Sequence, residues 1–255
     1  MHPIIFNLGP LEIRTYGVLV AIAFLVAIYF AANLAEKNGI KKDIIYDLGF
    51  VIIISSVIGA RLLYVFVWYK YFLNNFLEIF MVWKGGLVFY GGLIGAVIGG
   101  AIFIKKNNLS VLKIGDISMP FVALAHSIGR IGCFYNGCCY GRVDEKCGIV
   151  FPAIGDDKPH LPTQLYESIF NFLNFLILIF IYKKFKKIQG LVFYMYFFNY
   201  AIIRIIIELF RGDEERGKIL YFSTSTFISL LMLLLAISGF IYIWTKNKAN
   251  GKKSN

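Results

Sequence analysis

Seven apolar stretches, each close to the length needed to cross hydrocarbon, decide what this chain can fold into. They cover residues 15–34, 47–67, 86–104, 117–135, 163–181, 190–209 and 221–244. A bilayer core of ~30 Å takes about 20 residues of helix. Inside lipid every backbone N–H and C=O must find its partner within the protein, which leaves the helix as the solution for runs of this length. The expected fold class is therefore all-α: a polytopic membrane protein with seven transmembrane helices. Composition agrees, because 58% hydrophobic and 16% charged residues is too apolar for an ordinary soluble domain. No basic segment precedes the first apolar run, so no cleavable signal peptide is expected. Residues 1–245 read as a single transmembrane domain and residues 246–255 as a basic tail.

A net charge of +11 would fit a nucleic-acid partner, but its distribution argues against one. The connections after the first, third and fifth spans, with the C-terminal tail, hold fourteen Lys and Arg: Lys37, Lys41, Lys42, Lys105, Lys106, Lys113, Lys183, Lys184, Lys186, Lys187, Lys246, Lys248, Lys252 and Lys253. The opposite side holds nine, balanced by nine acids. Basic residues accumulate on the cytoplasmic side, so the N-terminus is expected outside and the C-terminus in the cytoplasm. The charge is a topology signal, with membrane lipids as its partner.

Ionisable residues inside the spans mark the functional region. One such residue costs about 2.5–3.5 kcal/mol even on lenient insertion scales, so it points to a site by default. His126 and Arg130 lie four residues apart, one helical turn, before the chain breaks at Gly132, Gly137 and Gly141. His126 is the only histidine within a span; His2 is terminal and His160 falls in the long connection from Asn136 to Leu161. Arg61 sits two thirds along the second span, near enough to its outer end to snorkel. Two glycine pairs flank Tyr90, suggesting a bent, ligand-facing backbone, whereas Gly92, Gly95, Gly99 and Gly100 have the spacing of tight helix packing. Arg204, Glu208 and Arg211 share one helix face, with Arg204 and Glu208 as a structural pair and Arg211 left to bind an anion. Glu167 opens the fifth span, where an acid favours the helix dipole. Tyr16 opens the first span and could be an interfacial belt residue. Ser223 to Thr226 form an N-cap cluster for the last span. Beyond Trp244 the tail is expected to be disordered. Several arginines toward one side suit a lipid phosphate, because a guanidinium makes bidentate, charge-assisted bonds.

Cys133, Cys138, Cys139 and Cys147 fall within fifteen residues. Their spacing lacks the paired knuckles of structural zinc sites. A disulfide between Cys138 or Cys139 and Cys147, or plain buried thiols, are the other readings.

Gly129 to Gly141, GRIGCFYNGCCYG, resembles the signature G-R-x-G-N-F-x-N-x-E-x-x-G of the prolipoprotein diacylglyceryl transferases. Five further pieces match in the same order: Arg14 to Gly17, Gly59 to Leu62, Gly85 to Gly95, Pro162 to Glu167 and Arg204 to Arg211. The resemblance spans nearly the whole chain. It implies a seven-span enzyme of the bacterial cytoplasmic membrane that moves the diacylglyceryl group of phosphatidylglycerol onto the lipobox cysteine of a preprolipoprotein peptide. No cofactor is expected, and the cysteine spacing gives no reason to expect a metal. By the resemblance, Arg130 and Arg211 hold the donor phosphate, Tyr16, Asn136 and Gly141 line the site, and Arg204 with Glu208 fix the sixth span. Arg61 is a further substrate-binding candidate.

Three positions depart from the pattern: Cys133 replaces the signature asparagine, Cys138 the signature glutamate, and Tyr90 a common histidine. Two proton handlers are thereby lost, so His126 is expected to act as the base, with Tyr90 as the other catalytic candidate. The departures leave open a same-fold transferase with another acceptor. A non-enzymatic transporter of an anionic solute is the third reading, weakened by the lack of an internal repeat.

Overall fold

The computed structural model describes residues 3–8, 11–212, 218–219 and 221–251. A hairpin of β1 (Ile4–Leu8) and β2 (Leu11–Arg14) leads into α1 (Thr15–Glu36). Then come α2 (Lys42–Val67), the one-turn α3 (Tyr69–Asn74), two short 3-10 turns, α4 (Phe89–Lys106) and α5 (Val111–Asn136). A two-stranded pair, β3 (Ile149–Val150) and β4 (Pro159–His160), lies in the connection to α6 (Thr163–Lys184). The chain continues through α7 (Leu191–Glu208), the pair β5 (Lys218–Ile219) and β6 (Phe222–Ser223), and α8 (Thr224–Gly251). Among the described residues seven helices are long and apolar enough to cross a membrane. The chain is a multi-pass, all-α membrane protein.

The seven spans sit where the apolar runs predict them, but several helices extend further. α2 begins at Lys42 rather than residue 47, and α5 at Val111 rather than 117. The last helix begins at Thr224, where the Ser223 hydroxyl accepts from the Thr226 N–H at 3.2 Å, the cap expected there. It then runs to Gly251, so the tail is helical up to that residue and not disordered. The expectation for Lys252 and Lys253, like that for His2, lies outside the described residues.

The chain forms two compact units, residues 31–114 and residues 1–30 with 115–255. In the unit of residues 31–114, α2 and α4 approach through small residues. A Cβ on Gly59 would strike the Gly91 carbonyl and come within 2.9 Å of the Gly95 Cα. Gly91 therefore serves helix packing rather than a ligand, which corrects the expectation drawn from its pairing with Gly92. The Gly85–Gly86 pair is bent as expected, with φ of 83° and 72°.

In the other unit α6 is polar inside and apolar outside. Thr163, Glu167, Asn171 and Asn174 recur on one face and are all buried, whereas Ile169, Phe172, Leu173, Leu176 and Phe180 are exposed. This is the inverse of a soluble helix and is stable only where the surroundings are apolar. The polar face is stitched to its neighbours. Ser168 Oγ donates to the Ser127 carbonyl of α5 at 2.8 Å, and Asn199 of α7 donates to Asn174 Oδ1 at 2.9 Å. From α5, the Asp116 carboxylate accepts the N–H groups of Gly190 at 2.5 Å and Phe193 at 2.9 Å, capping the start of α7. An acid at that point satisfies orphan donors and opposes the positive end of the helix dipole.

Candidate functional site

The centre of the unit holding α5, α6 and α7 is one carboxylate between two arginines. Glu167 is 2% exposed; its Oε1 lies 3.0 Å from Arg130 Nη2 and its Oε2 lies 3.3 Å from Arg204 Nη1. Arg204 Nη2 continues to Glu208 Oε2 at 3.3 Å, the i,i+4 pair expected from sequence. The network thus alternates in sign: Arg130, Glu167, Arg204, Glu208. A carboxylate at this depth is tolerated because both its oxygens face guanidinium groups. Its role as the hub differs from the expected one of complementing a helix dipole. Arg130 turns Nη1 toward Cys133 Sγ, 3.9 Å away, and meets the Tyr200 hydroxyl.

His126, one turn before Arg130, sits in an aromatic stack. Its ring lies 5.0 Å from that of Tyr200, at 26°, and its Nδ1 is 3.1 Å from the Tyr196 hydroxyl. Two tautomers satisfy that contact. If the tyrosine donates, Nε2 carries the ring proton; if Nδ1–H donates, the Nε2 lone pair is left to take one.

At the C-terminal end of α5 the chain leaves the helix at Gly137, with φ of 73°, and passes through Cys139 at φ of 65°. A left-handed conformation at a residue with a Cβ costs on the order of 1–2 kcal/mol, so the surroundings must hold it. They do so from the first turn of α6: Thr163 Oγ1 donates to the Cys139 carbonyl at 2.8 Å and Gln164 Nε2 to the Cys138 carbonyl at 2.7 Å. The Sγ atoms of Cys133, Cys138 and Cys139 converge to within 4.8 Å of one another. Cys147 is exposed and outside this group, and all four are thiols, so of the alternatives the bridge from Cys138 or Cys139 to Cys147 is not formed and the cysteines are plain thiols. The Cys139 thiol is held well below the ordinary thiol range, first by the Cys133 and Cys138 thiols and then by the charges of Arg211 and Arg130.

Gly141 cannot be enlarged: a Cβ would lie 2.7 Å from Leu161 Cβ and from the Phe210 carbonyl. Its N–H donates to the Leu161 carbonyl, and it bridges to Arg211, while Arg142 N–H reaches the Phe210 carbonyl at 2.9 Å. These bonds tie the loop after α5 to the end of α7 and so bring Arg211 to the thiol group. His160 is buried there, with Nδ1 3.0 Å from the Gly141 carbonyl and Nε2 2.9 Å from Asp156 Oδ2. That contact holds the exposed Asp156 carboxyl below its usual range.

Tyr16 packs on α5, where a Cβ on Gly132 would lie 3.3 Å from its ring, and its hydroxyl feels Cys133, Cys138 and Arg130. Asn136, the last residue of α5, has its side chain at Cys138. Of the residues singled out by sequence, Tyr16, His126, Arg130, Asn136, Gly141, Arg204, Glu208 and Arg211 therefore gather in one unit. Arg61 and Tyr90 belong to the other. Arg61 does not snorkel: it is buried, and its guanidinium donates to the carbonyls of Ile79 at 2.9 Å, Gly85 at 2.7 Å, Gly86 at 3.1 Å and Glu78. Four of its five donors pin the loop after α3, a structural task that sets it apart from the arginines of the other unit. Tyr90 is exposed on the first turn of α4.

Sequence reasoning passed over Glu167 as the hub and Tyr196 and Tyr200 as the partners of His126. The signal for Glu167 was present in the polar residues recurring every three or four positions along an otherwise apolar α6.

Comparisons with known proteins bear on the family of the chain. A family profile described as prolipoprotein diacylglyceryl transferase matches residues 3–242. A Clostridium tetani protein named phosphatidylglycerol–prolipoprotein diacylglyceryl transferase is 39% identical over 241 residues, which is 93% of this chain and 96% of its own length. A Clostridium perfringens protein, named as the second such transferase, is 33% identical over 99% of this chain and 98% of its own. A Staphylococcus aureus protein of the same name is 34% identical, covering 95% of this chain and 89% of its own.

Proposed function

This chain belongs to the prolipoprotein diacylglyceryl transferase family, and from that premise we propose that it transfers the diacylglyceryl group of phosphatidylglycerol to the lipobox cysteine of a preprolipoprotein. The observation that carries the reading is the alternation of Arg130, Glu167, Arg204 and Glu208 in membrane-crossing helices, centred on the buried Glu167. Such a network keeps a guanidinium charged at membrane depth while committing only part of its fork to protein. An anionic head group can take the rest.

In this scheme Arg130 and Arg211 bind the donor phosphate, and Arg204 with Glu208 holds α7 so that Arg130 and Glu167 keep their places. The acceptor sulfur attacks the glycerol carbon that bears the phosphate. A C–S bond forms as the C–O bond breaks, the product is a thioether, and glycerol phosphate departs with the electron pair. Guanidinium groups fixed beforehand stabilise the charge that gathers on the leaving oxygen. His126 removes the thiol proton through Nε2, in the tautomer whose Nδ1–H donates to Tyr196, and the proton passes on to the departing phosphate or to solvent. Tyr16, Asn136 and Gly141 shape the floor. The seven spans act as one transferase domain.

Purified protein in phosphatidylglycerol vesicles should add one diacylglyceryl group to a lipobox peptide, seen as the thioether by mass spectrometry, and none to the Cys→Ser peptide. A parent protein that leaves the cysteine peptide unmodified would sink the reading. We further propose that the chain resides in the bacterial cytoplasmic membrane with its N-terminus outside, supported by the fourteen-to-nine division of basic residues. An impermeant maleimide should then label Cys147 in intact cells but leave position 186 of a Cys147→Ser, Lys186→Cys protein unmodified, as mapped by mass spectrometry; the reverse pattern would invert the topology.

A further inference from the structure

Three thiols converge in this chain with no task in the transfer scheme. Cys133 comes from the last turn of α5, whereas Cys138 and Cys139 come from the turn that follows. Their Sγ atoms lie within 4.8 Å of one another, and each side chain is partly accessible. The turn that presents them is held in place by Thr163 and Gln164 and passes through a left-handed residue. A pairwise disulfide would leave the third sulfur unexplained. A single ion at the centre uses all three.

We propose that Cys133, Cys138 and Cys139 form a tris-thiolate site for one thiophilic d10 cation: monovalent copper, zinc or cadmium. Bonds of ~2.3 Å from a central ion place the sulfurs about 4 Å apart in trigonal geometry, so the observed spacing needs less than about an ångström of closure. Soft thiolates select such ions over magnesium or calcium. Charge also fits. Three thiolates around a divalent ion leave one net negative charge, and the guanidiniums of Arg130 and Arg211 both act on these sulfurs. Binding releases to solvent whatever protons the three sulfurs still carry and changes no oxidation state.

The site is a brake rather than a cofactor site. An ion held by Cys133 would sit beside Arg130, whose Nη1 is 3.9 Å from that sulfur, and would crowd the position of the donor phosphate. This consequence rests on the proposed transferase reading; metal binding itself does not.

The test uses the full chain in detergent, kept reduced with a non-thiol reductant and titrated with cadmium. The Cys147→Ser protein should take up one ion, develop the ultraviolet charge-transfer band of a cadmium thiolate, and have three cysteines protected from maleimide by mass spectrometry. Cys139→Ser and, separately, Cys133→Ser should weaken binding at least tenfold while retaining the parental thermal transition measured without metal. No band in Cys147→Ser, protection of fewer than three thiols, or unchanged binding in both serine variants would overturn the site. In the vesicle assay cadmium should slow the parent enzyme at least tenfold, reversibly by chelator, and leave Cys139→Ser unaffected. Stimulation by cadmium would overturn the brake. Because cadmium binding is read without lipid or peptide, an inactive protein that still binds cadmium would discredit the transferase reading alone.

Discussion

Two arginines within the spans, Arg61 buried and Arg130 half-buried, show how differently the two units of this molecule use the same side chain. Arg61 ends its guanidinium in a ring of backbone carbonyls, with four of them as acceptors. No ligand can compete with partners so numerous and fixed by the chain itself. Arg130 instead faces the side-chain carboxylate Glu167, and its second Nη points to a thiol. A carboxylate on a side chain has the chemistry of the phosphate that the site is proposed to bind, so the charge is kept in readiness for it. Around Arg61 the helices close through glycines, whereas around Arg130 they are joined by hydroxyl, amide and ionised groups. One unit spends its arginine on shape and the other on chemistry.

The comparison can be broken most severely at His126. His126→Gln keeps the size and one hydrogen bond to Tyr196 but removes the base. Transfer should fall at least about a hundredfold, the low end of general-base contributions, with phosphatidylglycerol binding unchanged. The sign of the pH dependence follows from the thiol: raising the pH supplies thiolate from solvent, so the variant should recover part of its rate while the parent gains less. Near-parental turnover of the variant at neutral pH would remove the histidine from the chemistry.

A smaller effect of another kind is expected at Gly59. Its added Cβ would press on the Gly91 carbonyl and on Gly95 Cα. Gly59→Ala should lower the thermal stability of the protein by about 1–3 kcal/mol, the usual cost of overpacking, while the protein that remains folded turns over at the parental rate. A variant as stable as the parent but slow in transfer would reverse the assignment of shape to one unit and chemistry to the other.

The seven spans were legible because the signal for a membrane helix is local: enough consecutive apolar residues. Helix ends were less so. Lys42, Asp43 and Lys113 read as loop, yet α2 and α5 include them, since a helix can continue beyond the apolar run that defines its span. The site was half legible. His126 and Arg130 declare themselves by charge within an apolar run, and Arg204 with Glu208 by their spacing. Glu167 stands 37 residues from Arg130, and Tyr196 stands 70 from His126, so pairing across that distance is a fact of packing that no local pattern carries. Arg61 misled for the complementary reason. Backbone carbonyls are present at every residue, and sequence cannot say which of them will converge on a guanidinium.

The difference between the two arginines is tested most directly by making the same substitution at both and measuring single-turnover diacylglyceryl transfer from phosphatidylglycerol beside thermal stability. Arg130→Lys should lose most of its transfer rate at near-parental stability, because a point charge cannot reproduce a bidentate fork. Arg61→Lys should do the opposite, losing stability with its carbonyl contacts while each folded molecule transfers at close to the parental rate. Parental transfer by Arg130→Lys, or a stable but inactive Arg61→Lys, would contradict the account.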